Sequence, residues 1–188
     1  MNDIFVQILI IAVLIVLNGI FAMSEIAMVS ARKIRLQQRA DDGDASAAVA
    51  LEMAESPNRL LSTVQVGISL VGVFSGAVGG ATLAEYLAPQ IARIPVLAPY
   101  SEGLSLVIVV LIITYFSLVV GELIPKRLAM GNPEKIAITV ARPMRTLSAL
   151  TAPIVNLLIA STELGLRLLG AKPNQAPPIP EEAIKVLI

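Results

Sequence analysis

The charged residues of this 188-residue chain are placed so that they leave four long uncharged runs. Twenty-one uncharged residues separate Asp3 from Glu25, 25 separate Arg59 from Glu85, and 19 separate Glu102 from Glu122. A helix crossing the hydrocarbon core takes about 20 predominantly apolar residues, so the pattern predicts spans over about 4–29, 60–84 and 103–124. The fourth run, Thr146 to Thr162, has 17 residues and contains Pro153 and Asn156. It falls at the bottom of the spanning range and suits an interfacial or re-entrant helix. The first run is read as a retained span rather than a signal peptide. Asp3 stands where a basic residue would be needed, and no small-x-small cleavage site precedes Glu25.

Basic residues orient the spans. Arg32, Lys33, Arg35 and Arg39 follow the first run, and Arg59 precedes the second. Lys126, Arg127, Lys135, Arg142 and Arg145 follow the third, whereas Arg93 alone lies between the second and third. Three spans with the N-terminus outside therefore put every basic residue but Arg93 in the cytoplasm. A fourth crossing would move Arg167, Lys172 and Lys185 outside, which the positive-inside bias disfavours.

The segments between the runs have their own signals. Ala31–Ala40 is basic and is expected to continue the first helix past the membrane. Asp41-Asp42-Gly43-Asp44 reads as a turn, Ala45–Ala54 as a short helix, and Ser56-Pro57-Asn58 as a turn into the second span. Asn132-Pro133-Glu134 reads as a helix start, with Asn132 as N-cap. Ile136, Ala137, Val140 and Met144 then share one face of a short amphipathic helix suited to anionic headgroups. Pro173, Pro177, Pro178 and Pro180 mark a stiff linker over 173–188 that leads toward a cytoplasmic domain missing from the chain. The expected architecture is an all-α membrane protein: three transmembrane helices plus cytoplasmic juxtamembrane or interfacial helices over about 133–170. Residues 1–172 then form a transmembrane domain.

Composition narrows the chemistry. Apolar residues make up 56% of the chain, about 62% once the 12 glycines are added, and charged residues 15%, against about 45–50% with glycine and about 25% in soluble domains. With no Cys and no His, there is neither a disulfide framework nor an ordinary zinc or haem site. Zero net charge and few aromatics argue against a nucleic-acid partner. Polar chemistry in this chain must use oxygen atoms.

Oxygen-bearing residues inside the runs form three sets. In the second run Ser62, Gln65, Ser69, Gly72, Gly76 and Gly79 recur at steps of three and four along one helical face. That face serves either helix packing through Gly72-x-x-x-Gly76-x-x-x-Gly80 or a ligand. The third run puts Thr114, Ser117 and Gly121 on one face, beside Glu122 and just before Pro125. Proline lacks an N–H, so in a continuing helix the Gly121 carbonyl loses its partner. A freed carbonyl next to a carboxylate is a pair of hard-cation ligands. The competing reading is a helix end with Glu122 paired to Lys126 at i+4. The first run supplies Asn18, Ser24 and Glu25, where Glu25 alternatively bonds backbone or a nearby Arg. Without His or Cys, such pockets favour Mg²⁺, Ca²⁺ or Na⁺ over zinc or copper.

The stretches Asn18-Gly-Ile-Phe-Ala-Met-Ser-Glu-Ile-Ala-Met-Val-Ser-Ala-Arg32, Gln65-Val-Gly-Ile-Ser69 and Gly121-Glu-Leu-Ile-Pro-Lys126 resemble the transmembrane domain of the CorC/cyclin M magnesium transporters. The resemblance covers roughly residues 5–170. It implies a homodimer in the cell membrane and Mg²⁺ export driven by Na⁺ influx. It also implies an intramembrane Mg²⁺ site on Ser24, Ser69, Glu122 and the Gly121 carbonyl. Asn18, Glu25, Gln65, Ser62, Ser117, Pro125 and Lys126 are candidates for the ion pathway or its surroundings. Family members continue into CBS modules that bind ATP, which this chain lacks. The competing function is a non-transporting membrane anchor or Mg²⁺ sensor for a cytoplasmic module. No nucleophile–base pair or catalytic motif suggests an enzyme.

Overall fold

The computed structural model describes residues 2–170, and all regular structure among them is helical. Helix α1 (Asn2–Ser30) has no internal proline and is apolar along most of its length. It does not run on into the basic segment, as the sequence had suggested. Arg32 is extended (φ −75°, ψ 113°), and the chain restarts as α2 (Lys33–Asp41). The break has a packing reason: it turns Leu36 fully into the core, beside Ala50 and Met53 of the next helix. The predicted turn follows, with Gly43 in the left-handed region at φ 94°. Asp44 caps α3 (Ala45–Glu55), its Oδ1 accepting from the N–H groups of Ser46 at 2.9 Å and Ala47 at 3.2 Å.

Helix α4 (Pro57–Ile91) starts at Pro57, within the segment read as a turn, because proline fits the first helical position, and it outlasts the predicted span by two turns. A short 3₁₀ turn (Ala98–Tyr100) leads into α5 (Ser101–Leu118). The predicted third span does not end near residue 124. It passes through a π-helical turn (Val119–Leu123) and continues as α6 (Ile124–Gly131). Asn132-Pro133 then opens α7 (Pro133–Leu168). Two separate pieces were expected here, a short amphipathic helix and the 146–162 run. They form one 36-residue helix that accommodates Pro143 and Pro153.

Among the described residues four helices are long and apolar enough to cross a membrane: Ile4–Ser30, Leu60–Ile91, Ala98–Gly131 and Pro133–Leu168. Length and composition thus admit a fourth span where charge placement had counted three. Internal contacts divide the chain into Met1–Thr151 and Ala152–Ile188. In the second unit the described residues are the last turns of α7 and the turn to Gly170, at φ 69°. The Pro-rich linker expected over 173–188 lies outside the described residues.

Within the first unit, α1 packs on α4, α6 and the π turn, α4 also packs on α5, and α2 packs on α3. Two apolar clusters result. Ile11, Ile15, Ala84, Val109 and Ile113 join the N-terminal half of α1 to α4 and α5. Phe21, Met28, Leu36, Met53, Val64 and Met144 join its C-terminal half to the short helices and the start of α7. Elsewhere large apolar side chains point outward, with Val13 58%, Phe74 53% and Leu111 63% exposed. Water would penalise such a surface and lipid does not. The protein is an all-helical membrane protein.

Candidate ion-binding site

The site begins with Pro125. Its missing N–H removes the α-helical partner of the Gly121 carbonyl, and the helix widens locally instead of ending. Ile124 donates to the Val119 carbonyl, a step of five residues. The Gly121 carbonyl turns to the neighbouring helix, where it accepts from Nδ2 of the buried Asn18 at 3.0 Å. This contact requires the two backbones to touch. A Cβ on Gly121 would lie 3.1 Å from the Ile15 carbonyl oxygen and 3.2 Å from Asn18 Nδ2. A Cβ on Gly19 would lie 3.0 Å from the Pro125 ring. Glycine on both sides of the crossing is therefore a steric condition of the bond.

Two turns further along α1, a second link joins it to α6. Lys126 Nζ donates to Glu122 Oε1 at 2.7 Å and lies 3.6 Å from Glu25 Oε2 on α1. The i+4 pair was foreseen. Glu25 takes this lysine rather than the backbone or the arginine that the sequence had offered it. Two carboxylates and one ammonium thus meet at the crossing. Asn18 and Glu25 match Gly121 and Lys126 in the same chain direction, so α1 and α6 run parallel. Ser24 lies on α1 between the two links and is fully buried. Its Oγ donates to the Ile20 carbonyl at 2.6 Å, which leaves the hydroxyl's lone pairs as acceptors. Asn18 Oδ1 is buried with no hydrogen-bond partner. Its amide orientation follows from chemistry, because only the NH₂ side can donate to a carbonyl.

Of the expected ligands, the crossing therefore gathers Gly121 and Glu122, together with Asn18, Glu25, Pro125 and Lys126; Ser24 is buried on α1 with its hydroxyl turned to its own helix. The crossing does not gather the α4 set. Ser69 and Gln65 are exposed, and Ser62 and Ser117 are half-buried without a hydrogen bond. The continuous α4 face splits in two. Gly79 is buried where a Cβ would strike Ile11 and Ile113, whereas Gly72 and Gly76 are exposed with nothing within 4 Å. The polar residues of α4 that do pack inward were not singled out from the sequence. Thr63 is buried and donates to Ser148 at 3.3 Å, and Ser75 is also buried. A β-branched or small hydroxyl on an apolar helix carries no spacing signal that distinguishes it from lipid-facing neighbours.

The oxygens at the crossing are of the kind a hard cation takes: a carboxylate, a main-chain carbonyl and an amide oxygen. Among the described residues no three carboxylates cluster, so charge alone does not define a centre. Toward the N-terminal side of α1 the surroundings become apolar. A groove of about 450 Å³ there is lined by residues that include Ile11, Ile15, Ile113 and Val120.

Residues 9–188 match the family model described as the cyclin M transmembrane N-terminal domain. The chain belongs to that family. It is 55% identical over 176 residues to the "UPF0053 protein sll0260" of Synechocystis sp., covering 94% of this chain and 39% of that protein. It is also 34% identical over 149 residues to the "Polyamine export protein" of Escherichia coli K12, covering 79% of this chain and 33% of the relative. A Haemophilus influenzae protein of the same name is 30% identical over 156 residues, 81% of this chain and 35% of its own length. The chain thus spans a little over a third of the length of these relatives.

Proposed function

We propose that this domain transports Mg²⁺ across the cell membrane through the α1/π-turn crossing, exporting it against Na⁺ influx. One observation carries the reading. A proline-widened turn presents the Gly121 carbonyl and the Glu122 carboxylate side by side, next to the α1 stretch that holds Ser24. Every candidate ligand is oxygen, as Mg²⁺ requires, and the small carboxylate count favours release over trapping. Ser69 belongs to the ligand set through the family resemblance alone. Three spans with the N-terminus outside and the C-terminus in the cytoplasm fit the basic residues, and α7 then lies along the interface. The open α4 face around Gly72 and Gly76 is the natural seam of a homodimer.

The test of the site is Glu122→Gln, which keeps size and hydrogen bonding and removes the charge. Mg²⁺ affinity by calorimetry should fall on the order of 100-fold, the consequence of losing about 3 kcal/mol of charged contact. Affinity within threefold of wild type would refute the assignment. Mg²⁺ flux in proteoliposomes with and without a Na⁺ gradient tests the coupling.

A second reading, polyamine export, draws on the names of the Escherichia coli and Haemophilus influenzae relatives. It is also supported by an alkylammonium, that of Lys126, already seated on Glu122 and Glu25. Titration of the wild type with spermidine against Mg²⁺ separates the two. Spermidine binding that Glu122→Gln abolishes, with no Mg²⁺ binding, selects the polyamine.

A further inference from the structure

The geometry points to Lys126 as a tethered cation that occupies the ion site when no ion is bound and must be displaced for one to enter. This rests on the Mg²⁺ reading of the site and adds a residue that sets its affinity. Both proposed charged and carbonyl ligands already have partners within the chain. Glu122 is taken by Lys126 Nζ at 2.7 Å, and the Gly121 carbonyl by Asn18 Nδ2 at 3.0 Å. The same ammonium lies 3.6 Å from Glu25, so one lysine spans the only two carboxylates at the crossing. All three side chains are half-buried rather than solvated, with Lys126 28% exposed, Glu25 27% and Glu122 33%.

An unneutralised carboxylate pair at this depth is costly, because charge is poorly solvated away from water. A lysine on the following turn supplies the missing positive charge from within the chain. Its ammonium is a compact point charge on a flexible four-carbon stem, so it can withdraw without moving the helix backbone. An arriving divalent ion brings more charge to the same oxygens and exchanges with it. Asn18 completes the arrangement. Its donated bond keeps the Gly121 carbonyl satisfied in the absence of the ion, and its own buried Oδ1 has no partner. The apparent affinity is then the intrinsic affinity reduced by the fraction of time the lysine is displaced.

The experiment is Mg²⁺ titration by calorimetry, with thermal melting, on the purified membrane domain carrying Lys126→Gln, Lys126→Arg or Glu122→Gln. Lys126→Gln should bind Mg²⁺ about five- to tenfold more tightly than wild type, because the competitor is gone. It should melt lower without Mg²⁺ and gain more on adding it. Lys126→Arg keeps the charge and should bind no more tightly than wild type. A merely structural lysine predicts the opposite, with Lys126→Gln weaker or unchanged in Mg²⁺ affinity, and that result overturns the tethered cation while leaving the site intact. Should Lys126→Gln fail to fold, tighter binding by Lys126→Arg than by wild type overturns the proposal on its own. Wild-type affinity in Glu122→Gln instead removes the site, and the tethered cation with it.

Discussion

Two helical faces of this protein carry the same kinds of residue and have opposite fates. At the crossing of α1 with the π turn, Asn18, Gly19, Gly121 and Glu122 meet backbone to backbone, and nearly every polar group finds a partner inside the subunit. On α4, Gln65, Ser69, Gly72 and Gly76 form an equally small and polar stripe that is exposed among the described residues. Small residues permit close approach; they do not say which neighbour approaches. At the crossing the proline decides, because a carbonyl without its donor needs a partner from another helix. The α4 stripe holds no proline to free a backbone group, so nothing in its own helix assigns it a neighbour.

The comparison breaks most visibly at Gly76. If the open face is the seam of a homodimer, Gly76→Leu should weaken association by more than about 100-fold, since a large side chain holds the backbones apart. Crosslinking in lipid followed by mass measurement reads this directly, and an unaltered dimer places the seam elsewhere.

The same substitution made in both regions sharpens the contrast. Gly121→Ala puts a Cβ against the Ile15 carbonyl and Asn18 Nδ2, neither of which can yield without losing the Asn18 bond. Stability should fall by about 1–3 kcal/mol, the usual cost of overpacking, seen as a lower melting temperature. At Gly72 the added methyl meets open space, and the gain in helix propensity should raise stability by up to about 1 kcal/mol in the dissociated subunit. A Gly72→Ala subunit that melts as low as Gly121→Ala would erase the distinction between the two faces.

Much of this could be read from the chain alone because membrane helices are governed by local rules. The uncharged runs located α1, α4 and α5, the Asp41–Asp44 turn and Asn132-Pro133 marked true helix boundaries, and Pro125 with Gly121 marked a carbonyl in need of a partner. Where the reading failed, the cause was packing that residue spacing does not encode. Leu36 breaks the basic segment away from α1 because a core position is available to it.

What the sequence determined by itself is therefore the solvent, the approximate places of the long apolar helices, the lack of His and Cys ligands and the family, since each follows from residue types and their order. Tertiary structure alone decided the partners. Asn18 and Gly121 are 103 positions apart, and Glu25 reaches Lys126 from a different helix, so no period or motif links them. Ser24 and Ser69 look alike in the chain, yet one is fully buried on α1 and the other is exposed on α4. The physical reason is that a helix sets the direction of every side chain around its own axis, while the rotation of that axis toward its neighbours is fixed only when the helices pack.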